Sequence, residues 1–207
     1  MSDFYPIILR IKEKPVLVVG GGKVAERKVE SLLNCGAKVF LISKTLTQKL
    51  QHLIQQKKVV LLGQDFGDSY LTDKFLLIAA TDDPLFNKSV AQKGRQKGIL
   101  VNVVDQPDEC DFIVPSVVKR GDLIIAVSTS GKSPFISRRI REELESIYGP
   151  EYRIALSIMS VIRQALIRAG EQNKEEIYEK LYNSDIVNKI KAKDVEGVVK
   201  IIAEALC

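Results

Sequence analysis

Residues 15 to 33, PVLVVGGGKVAERKVESLL, constrain the fold of this chain more than any other stretch. Val16 to Val19 is an unbroken apolar run, as expected of a strand buried on both faces. Three glycines follow directly, and Ala25, Val29, Leu32 and Leu33 then recur at helical spacing. Strand, glycine turn and helix are the setting in which glycines bind a dinucleotide. Gly20, Gly22 and Ala25 match the G-x-G-x-x-G/A spacing. In that pattern Gly20 permits the tight turn, Gly22 lets the backbone approach a diphosphate, and Ala25 lets the helix lie close to the strand. The helix N-terminus, with its unpaired N–H groups and positive dipole end, then faces the phosphates, with Gly21, Lys23 and Val24 alongside.

The same rhythm continues downstream. Lys38 to Ile42, Val59 to Leu62, Phe75 to Ala80 and Ile99 to Val104 read as further strands. Leu46, Leu50, Leu53 and Ile54 mark a second helix, and Asp83-Pro84 opens a third that reaches about Lys97. Tyr5 to Ile11 is a short strand or an extended lead-in. Alternating strands and helices predict an α/β fold, a Rossmann-like parallel sheet in an order such as 3-2-1-4-5.

After Val104 the pattern changes. DQPDECDFIVPS has two prolines and no helical period, which puts a domain boundary near residue 112. Val117 to Lys119 and Leu123 to Ser128 form two strands around Arg120-Gly121-Asp122. From Pro134 the chain is helical, first with the stripe Ile136, Ile140, Leu144 and Ile147, then with Ile154, Ile158, Val161, Ile162 and Ala165. Two or three shorter helices follow, ending with Val195, Val198, Val199 and Ile202 on one face. The expected divisions are 1–112, a segment 113–149 containing the strands, and a helical C-terminal domain 150–207.

Composition narrows the function. The three cysteines are scattered and His52 is the one histidine, so a disulfide framework, a zinc site and a Ser-His-Asp triad have little to build on. Metal ligands are therefore not assigned. No apolar run reaches membrane-span length and the N-terminus lacks a signal peptide's apolar core, so a cytoplasmic location is expected. A net charge of +5 favours an anionic partner. Without a dense basic run interleaved with aromatics, nucleic acid is not the expected one.

Chemistry belongs at the carboxyl ends of the strands. The second strand ends at Ser43-Lys44-Thr45, where an acid normally receives the ribose 2′-hydroxyl of NAD. Ser43 can still bond a ribose and Lys44 can tolerate a 2′-phosphate, so the residues leave NAD and NADP both open. Thr81 and Asp82 are candidates to line the cofactor, although Asp82 or Asp83 can instead cap the next helix, a role that Asp83 before Pro84 suits. Asn102 and Val104 belong to the fifth strand, and Asp105 follows it, where a proton acceptor is useful beside the nicotinamide. A turn aspartate is the competing reading. Ser128, Thr129, Ser130 and Lys132 form a hydroxyl-rich loop before the Pro134 helix, suited to carboxylates or simply to capping. Arg138 and Arg139 follow, as anion clamps or as solvated surface.

With these residues in place, the chain resembles the siroheme-synthase family, in particular its stand-alone precorrin-2 dehydrogenase members. The resemblance is carried by YPIILRIKEKPVLVVGGGKVAERKV, by LIAATDDPLFN, and by GILVNVVDQPDECDFIVPSVVKRGDLIIAVSTSGKSPFISRRIREELE. These segments agree in order and spacing over about residues 5–147. The resemblance implies NAD as cofactor and oxidation of precorrin-2 to sirohydrochlorin. Some members also insert ferrous iron, or cobalt, into the product. It places the family's catalytic aspartate on Asp105 and its glycine turn on Gly20, Gly21 and Gly22. It also implies a homodimer formed through the segment after the nucleotide domain, which makes 113–149 a dimerisation segment. Precorrin-2 is a polycarboxylate tetrapyrrole, a suitable partner for a basic protein with paired arginines. The competing reading from another class is a nucleotide-sensing module without catalysis.

Overall fold

The computed structural model describes residues 4–206. The described residues divide into two compact units, split between Val114 and Pro115. The strand-containing segment falls in the second unit with the C-terminal helices.

The first unit is a parallel sheet with helices on both faces. Its strands are β1 (Pro15–Val19), β2 (Lys38–Ile42), β3 (Val59–Gly63), β4 (Leu76–Ala79) and β5 (Leu100–Val103). They pair in the order β3-β2-β1-β4-β5, all parallel, as the alternation of strands and helices predicts. Val16 to Val19 are buried to within 2% of full burial, because β1 is central and covered on both faces. Tyr5 to Ile11 is an extended lead-in without ladder pairing.

Each strand leads into a covering helix where the sequence supplies a start signal. Helix α1 (Lys23–Leu33) begins directly at the glycine turn and buries Ala25, Val29 and Leu32 on β1 and β2. Helix α2 (Gln48–Gln55) is capped by Thr47, whose hydroxyl accepts from Leu50 N. Helix α3 (Pro84–Gln96) is capped by Asp83, whose carboxylate accepts from Leu85 N and Phe86 N at 2.9 and 3.0 Å. α3 lies close to the sheet: a Cβ on Gly94 would stand 2.5 Å from Leu77 Cδ2. The sheet thus separates two apolar layers, one under α1 and α2 around Val29, Leu41 and Leu50, the other under α3 around Leu77, Val90 and Val101.

The second unit starts with the antiparallel hairpin β6 (Ser116–Arg120) and β7 (Leu123–Val127). Its two-residue link, Gly121-Asp122, uses a positive φ of 64° at Gly121. Helix α4 (Pro134–Ile147) packs on this hairpin and ends before Gly149-Pro150. Helices α5 (Glu151–Arg168), α6 (Lys174–Tyr182), α7 (Ile186–Lys191) and α8 (Val195–Leu206) enclose a separate core around Ile162, Leu166, Ile177 and Leu181. No described helix is long and apolar enough to cross a membrane.

Candidate functional site

The order of the sheet reverses at β1, which pairs with β2 on one side and β4 on the other. Beyond the strand ends at that point lies a cleft of about 720 Å³ within the first unit. It is lined by the ends of all five strands, which is where an open parallel sheet binds ligands.

The three glycines do different jobs in the cleft. Gly20 has φ +123°, and a Cβ there would sit 2.2 Å from Ala80 O, so the turn presses against the end of β4. A Cβ on Gly21 would sit 2.0 Å from Thr45 O and 2.5 Å from Ser43 Oγ, so the turn also presses against the end of β2. Backbone bonds run from Gly20 N to Ile42 O at 2.9 Å and from Thr47 N to Gly21 O at 3.1 Å. Gly22 is the exception. A Cβ there would meet nothing within 4 Å, and the residue stands in the cleft at the N-cap of α1 with no side-chain cap. Its backbone (φ −79°, ψ −174°) is open to any residue type. A glycine kept at a spot with room in the protein, facing the free N–H groups of a helix, fits a site where a diphosphate lies against the backbone. Sequence spacing identifies Gly20 and Gly22; the tight contact of Gly21 with β2 is visible only in three dimensions.

Behind the turn, Glu26 is 7% exposed in the first turn of α1. The Thr47 hydroxyl, with smaller help from Lys23 and Lys49, holds its carboxyl below the ordinary glutamate range against the opposing effect of burial. Lys23 pairs with it at 3.4 Å from the rim of the cleft.

Ser43, Lys44 and Thr45 line the cleft at the end of β2. The Ser43 hydroxyl donates to Thr45 O at 2.7 Å, so it shapes its own loop beneath Gly21. The acid absent from β2 has a neighbour one strand over. Asp65, just after β3, lines the cleft and pairs with Lys44 at 3.0 Å. Phe66 follows it and meets Phe86 of α3 edge-on, at 6.2 Å between ring centroids, giving the cleft an apolar wall. Gln64, Asp65 and Phe66 carry no periodicity or motif that marks them in the sequence.

On the other side of β1, Thr81 and Asp82 line the cleft. Thr81 is fixed by Asn87, 2% exposed, which takes the hydroxyl proton at 2.7 Å and the backbone N–H at 3.1 Å and returns its amide to Thr81 O at 3.0 Å. Val104 and Asp105 complete the cleft beyond β5. Asp105 is exposed with φ 60°, a left-handed conformation that aspartate tolerates better than most residues.

Asn102 differs from expectation. It does not line the cleft but is buried, its amide donating to Phe112 O at 2.9 Å. Asn102 lies within β5, short of the strand end at which Val104 and Asp105 reach the cleft, and its side chain meets the returning chain at Phe112. With Cys110, which accepts from Val103 N at 3.1 Å and lies 3.3 Å from Gln106 O, it closes the loop bearing Asp105. Burial pushes the Cys110 thiol above its ordinary range. Arg95 of α3 ties the loop from outside, through Asp111 at 3.0 Å and Glu109 O at 2.6 Å. Asp111 in turn accepts from Val101 N at 2.9 Å. Lys28 of α1 feels the charges of Asp105 and Cys110, though burial is the larger influence and lowers its proton affinity.

The remaining candidates lie in the second unit. Ser128 accepts from Ser130 N at 3.0 Å, and the Thr129 hydroxyl accepts from Ser133 N at 3.0 Å. Lys132 N donates to Thr129 O at 3.0 Å, which closes the loop before α4. Ser133 caps α4 by accepting from Ile136 N. Arg138 and Arg139 are exposed on α4 and both reach Glu142, at 3.7 and 3.3 Å. Among the described residues no group of three or more His, Cys, Asp or Glu side chains is placed to hold a metal ion. His52 is exposed on α2 beside Gln56.

Comparison with known proteins agrees with this geometry. The family model described as putative NAD(P)-binding matches residues 7–116, and that of the sirohaem biosynthesis protein central region matches residues 120–147. Siroheme synthase 1 of Serratia proteamaculans is 40% identical over 176 residues, covering 83% of this chain and 37% of that protein. The siroheme synthase of Nitrosomonas europaea is 34% identical over 209 residues, covering 99% of this chain and 44% of that protein. The chain thus spans less than half the length of these curated relatives. The solved structure of SirC, precorrin-2 dehydrogenase, shares the fold over 98% of both chains, with a TM-score of 0.78 at 23% identity. By its glycine cleft, its two consecutive family matches and these relatives, the chain belongs to the putative NAD(P)-binding family, in the group that includes the siroheme synthases.

Proposed function

We propose that the chain is an NAD-dependent dehydrogenase that oxidises precorrin-2 to sirohydrochlorin in the cytoplasm, with Asp105 as proton acceptor. One observation carries the reading: the glycine turn and Asp105 open onto the same cleft, on β1 and β5 of one sheet. The name of the SirC structure and the siroheme synthases among the relatives supply the substrate.

Bound NAD+ supplies the hydride acceptor. The chain does the rest. The backbone at Gly22 and the N-terminus of α1 hold the diphosphate. Thr81 and Asp82 flank the cofactor on the β4 side, with Thr81 fixed by Asn87. Asp105, on a turn clasped by Asn102, Cys110 and Arg95, takes the proton that leaves as the tetrapyrrole loses a hydride. Ser128, Thr129, Ser130 and Lys132, with Arg138 and Arg139, are proposed as contacts for carboxylates. For the arginines this means exchanging Glu142 for a substrate acid. Exposed Ile124 on β7, with Ile136 and Ile140 on α4, provides the apolar face of a homodimer.

The test is anaerobic incubation of the protein with precorrin-2 and NAD+, followed by absorption spectroscopy. Formation of NADH together with sirohydrochlorin is expected. Tight NAD+ binding with precorrin-2 left unchanged would instead indicate a nucleotide sensor. Adding ferrous or cobaltous ion to sirohydrochlorin in a second cuvette asks whether the same protein also inserts metal.

A further inference from the structure

The chain lacks an acid at the end of β2, yet the cleft does not lack one. Asp65 enters it from the end of β3, paired with Lys44 from the end of β2. We propose that this Asp65–Lys44 pair is the cofactor-selecting element: Asp65 receives the adenosine ribose 2′-hydroxyl and holds Lys44 away from it, so that NAD is bound in preference to NADP.

Three observations place the adenosine half here. Gly22, proposed to hold the diphosphate, follows β1 at the N-cap of α1, and the cleft extends from it in both directions across the sheet. One direction ends at β5 and Asp105, leaving the β2–β3 side for the other half of the dinucleotide. At strand spacing, β3 lies about 10 Å from β1, comparable to the reach from a diphosphate to its ribose and base. Next to Asp65, Phe66 and Phe86 form an apolar wall suited to a purine face, so base-binding and ribose-binding groups stand side by side. Ser43, at the position where the acid is usually found, directs its hydroxyl to Thr45 O.

The chemistry then follows from charge. A carboxylate accepts a hydrogen bond from a ribose hydroxyl and repels a phosphate in its place. A lysine does the reverse. The two side chains are 79% and 74% exposed, so the ion pair adds little to stability and its role is to settle which charge the ligand meets. With Asp65 present, a carboxylate stands beside Lys44 and opposes a phosphate there. Without it, Lys44 becomes a phosphate site.

The inference rests on the dinucleotide reading, and the experiment separates the two. Isothermal titration of the full chain with NAD+ and with NADP+ is compared for wild type, Asp65→Asn, Lys44→Ala and the double variant. Wild type is expected to bind NAD+ at least tenfold more tightly. Asp65→Asn should lower the NAD+/NADP+ affinity ratio about tenfold, through weaker NAD+ and stronger NADP+ binding. Adding Lys44→Ala should remove the NADP+ gain. A ratio that moves less than threefold in Asp65→Asn, or an NADP+ gain that survives Lys44→Ala, overturns the assignment while the dinucleotide reading stands. A wild type that prefers NADP+ overturns it as well. A wild type that binds neither cofactor overturns the dinucleotide reading and the inference together.

Discussion

Replacing Gly22 by aspartate should make the protein more stable and its cofactor site worse. The backbone at Gly22 is extended, at φ −79° and ψ −174°, which any residue adopts and which suits an N-cap. No side chain now caps α1, and no atom lies within 4 Å of the Cβ position. An aspartate here can accept from the free N–H groups of the first turn. Over glycine, that cap is worth a few tenths of a kcal/mol, and charge against the dipole adds about 0.3–1 kcal/mol. Loss of glycine's freedom in the unfolded chain adds about 0.4–1 kcal/mol. The nearby Glu26 carboxylate opposes part of this, so a net gain of roughly 1 kcal/mol is expected. At this chain length that raises the melting temperature by about 2–4 °C. The same carboxylate occupies the N–H groups that the diphosphate needs and repels it. A loss of at least 100-fold in NAD+ affinity is expected, about 2.7 kcal/mol. Gly21→Ala is the counterpart. Its Cβ would fall 2.0 Å from Thr45 O, so it should lose about 1–3 kcal/mol of stability. Differential scanning calorimetry and isothermal titration read both quantities. If Gly22→Asp lowers stability as Gly21→Ala does, or binds NAD+ as tightly as wild type, the role given to Gly22 is wrong.

Asp105→Ala should leave NAD+ affinity within about threefold of wild type and reduce precorrin-2 oxidation by 10²-fold or more, on the scale of a lost general base; near-normal turnover in the anaerobic assay would remove the assigned role. Gly94→Ala gains about 1 kcal/mol of helix propensity but drives a methyl to 2.5 Å from the fully buried Leu77, so a net loss of about 1–2 kcal/mol is expected in urea unfolding, and a gain would contradict the close packing of α3. Folding lowers the proton affinity of Glu26, held by Thr47, of Glu109, held by Lys88, and of Asp194, held by the Gly197 N–H. The unfolded chain therefore binds more protons than the folded one in the acid range. Stability from these groups is complete above their ordinary range, about pH 4–4.5, and falls as the pH drops through their lowered folded values. Urea midpoints measured from pH 6 downward should decline in that window, and Glu26→Gln should flatten the decline; an unchanged slope in that variant would show that Glu26 plays no part.

Much of this architecture was legible in the sequence because a buried parallel strand leaves a plain mark. Val16 to Val19, and the apolar run that forms β4, are continuous because both faces are covered, whereas the edge strand β3 leaves Val60 and Leu61 exposed. Asp83-Pro84 announces a helix start by local chemistry alone, and the cap is present. Residues that act through tertiary neighbours left no such mark. Asn87 fixes Thr81 from one turn inside α3, and nothing in its local sequence distinguishes it from a surface asparagine. Asn102 lies close to Asp105 in the sequence, but it is inside β5 rather than beyond its end, and its amide donates to Phe112 O. Asp65 escaped notice because a search for the ribose acid follows β2, while this carboxylate arrives from β3. Arg138 and Arg139 read equally well as anion clamps or as surface, and their shared partner Glu142, one turn further along the helix, is the kind of neighbour that spacing does reveal.

The contact of Gly21 with Ser43 and Thr45, together with the bonds from Gly20 N to Ile42 O and from Thr47 N to Gly21 O, joins the first and second strand ends into one piece. The glycine turn and the loop that presents Lys44 therefore cannot be exchanged separately. A chimera that imports the 20–26 turn of a relative without its 42–47 loop forces a foreign side chain or carbonyl into a gap the size of a missing methyl group. Side-chain changes at Lys44 or Asp65, which are exposed and outside that seam, leave it intact. For anyone redesigning the cofactor preference of such a protein, single substitutions at the rim are the safer route, and segment swaps should carry both strand ends together.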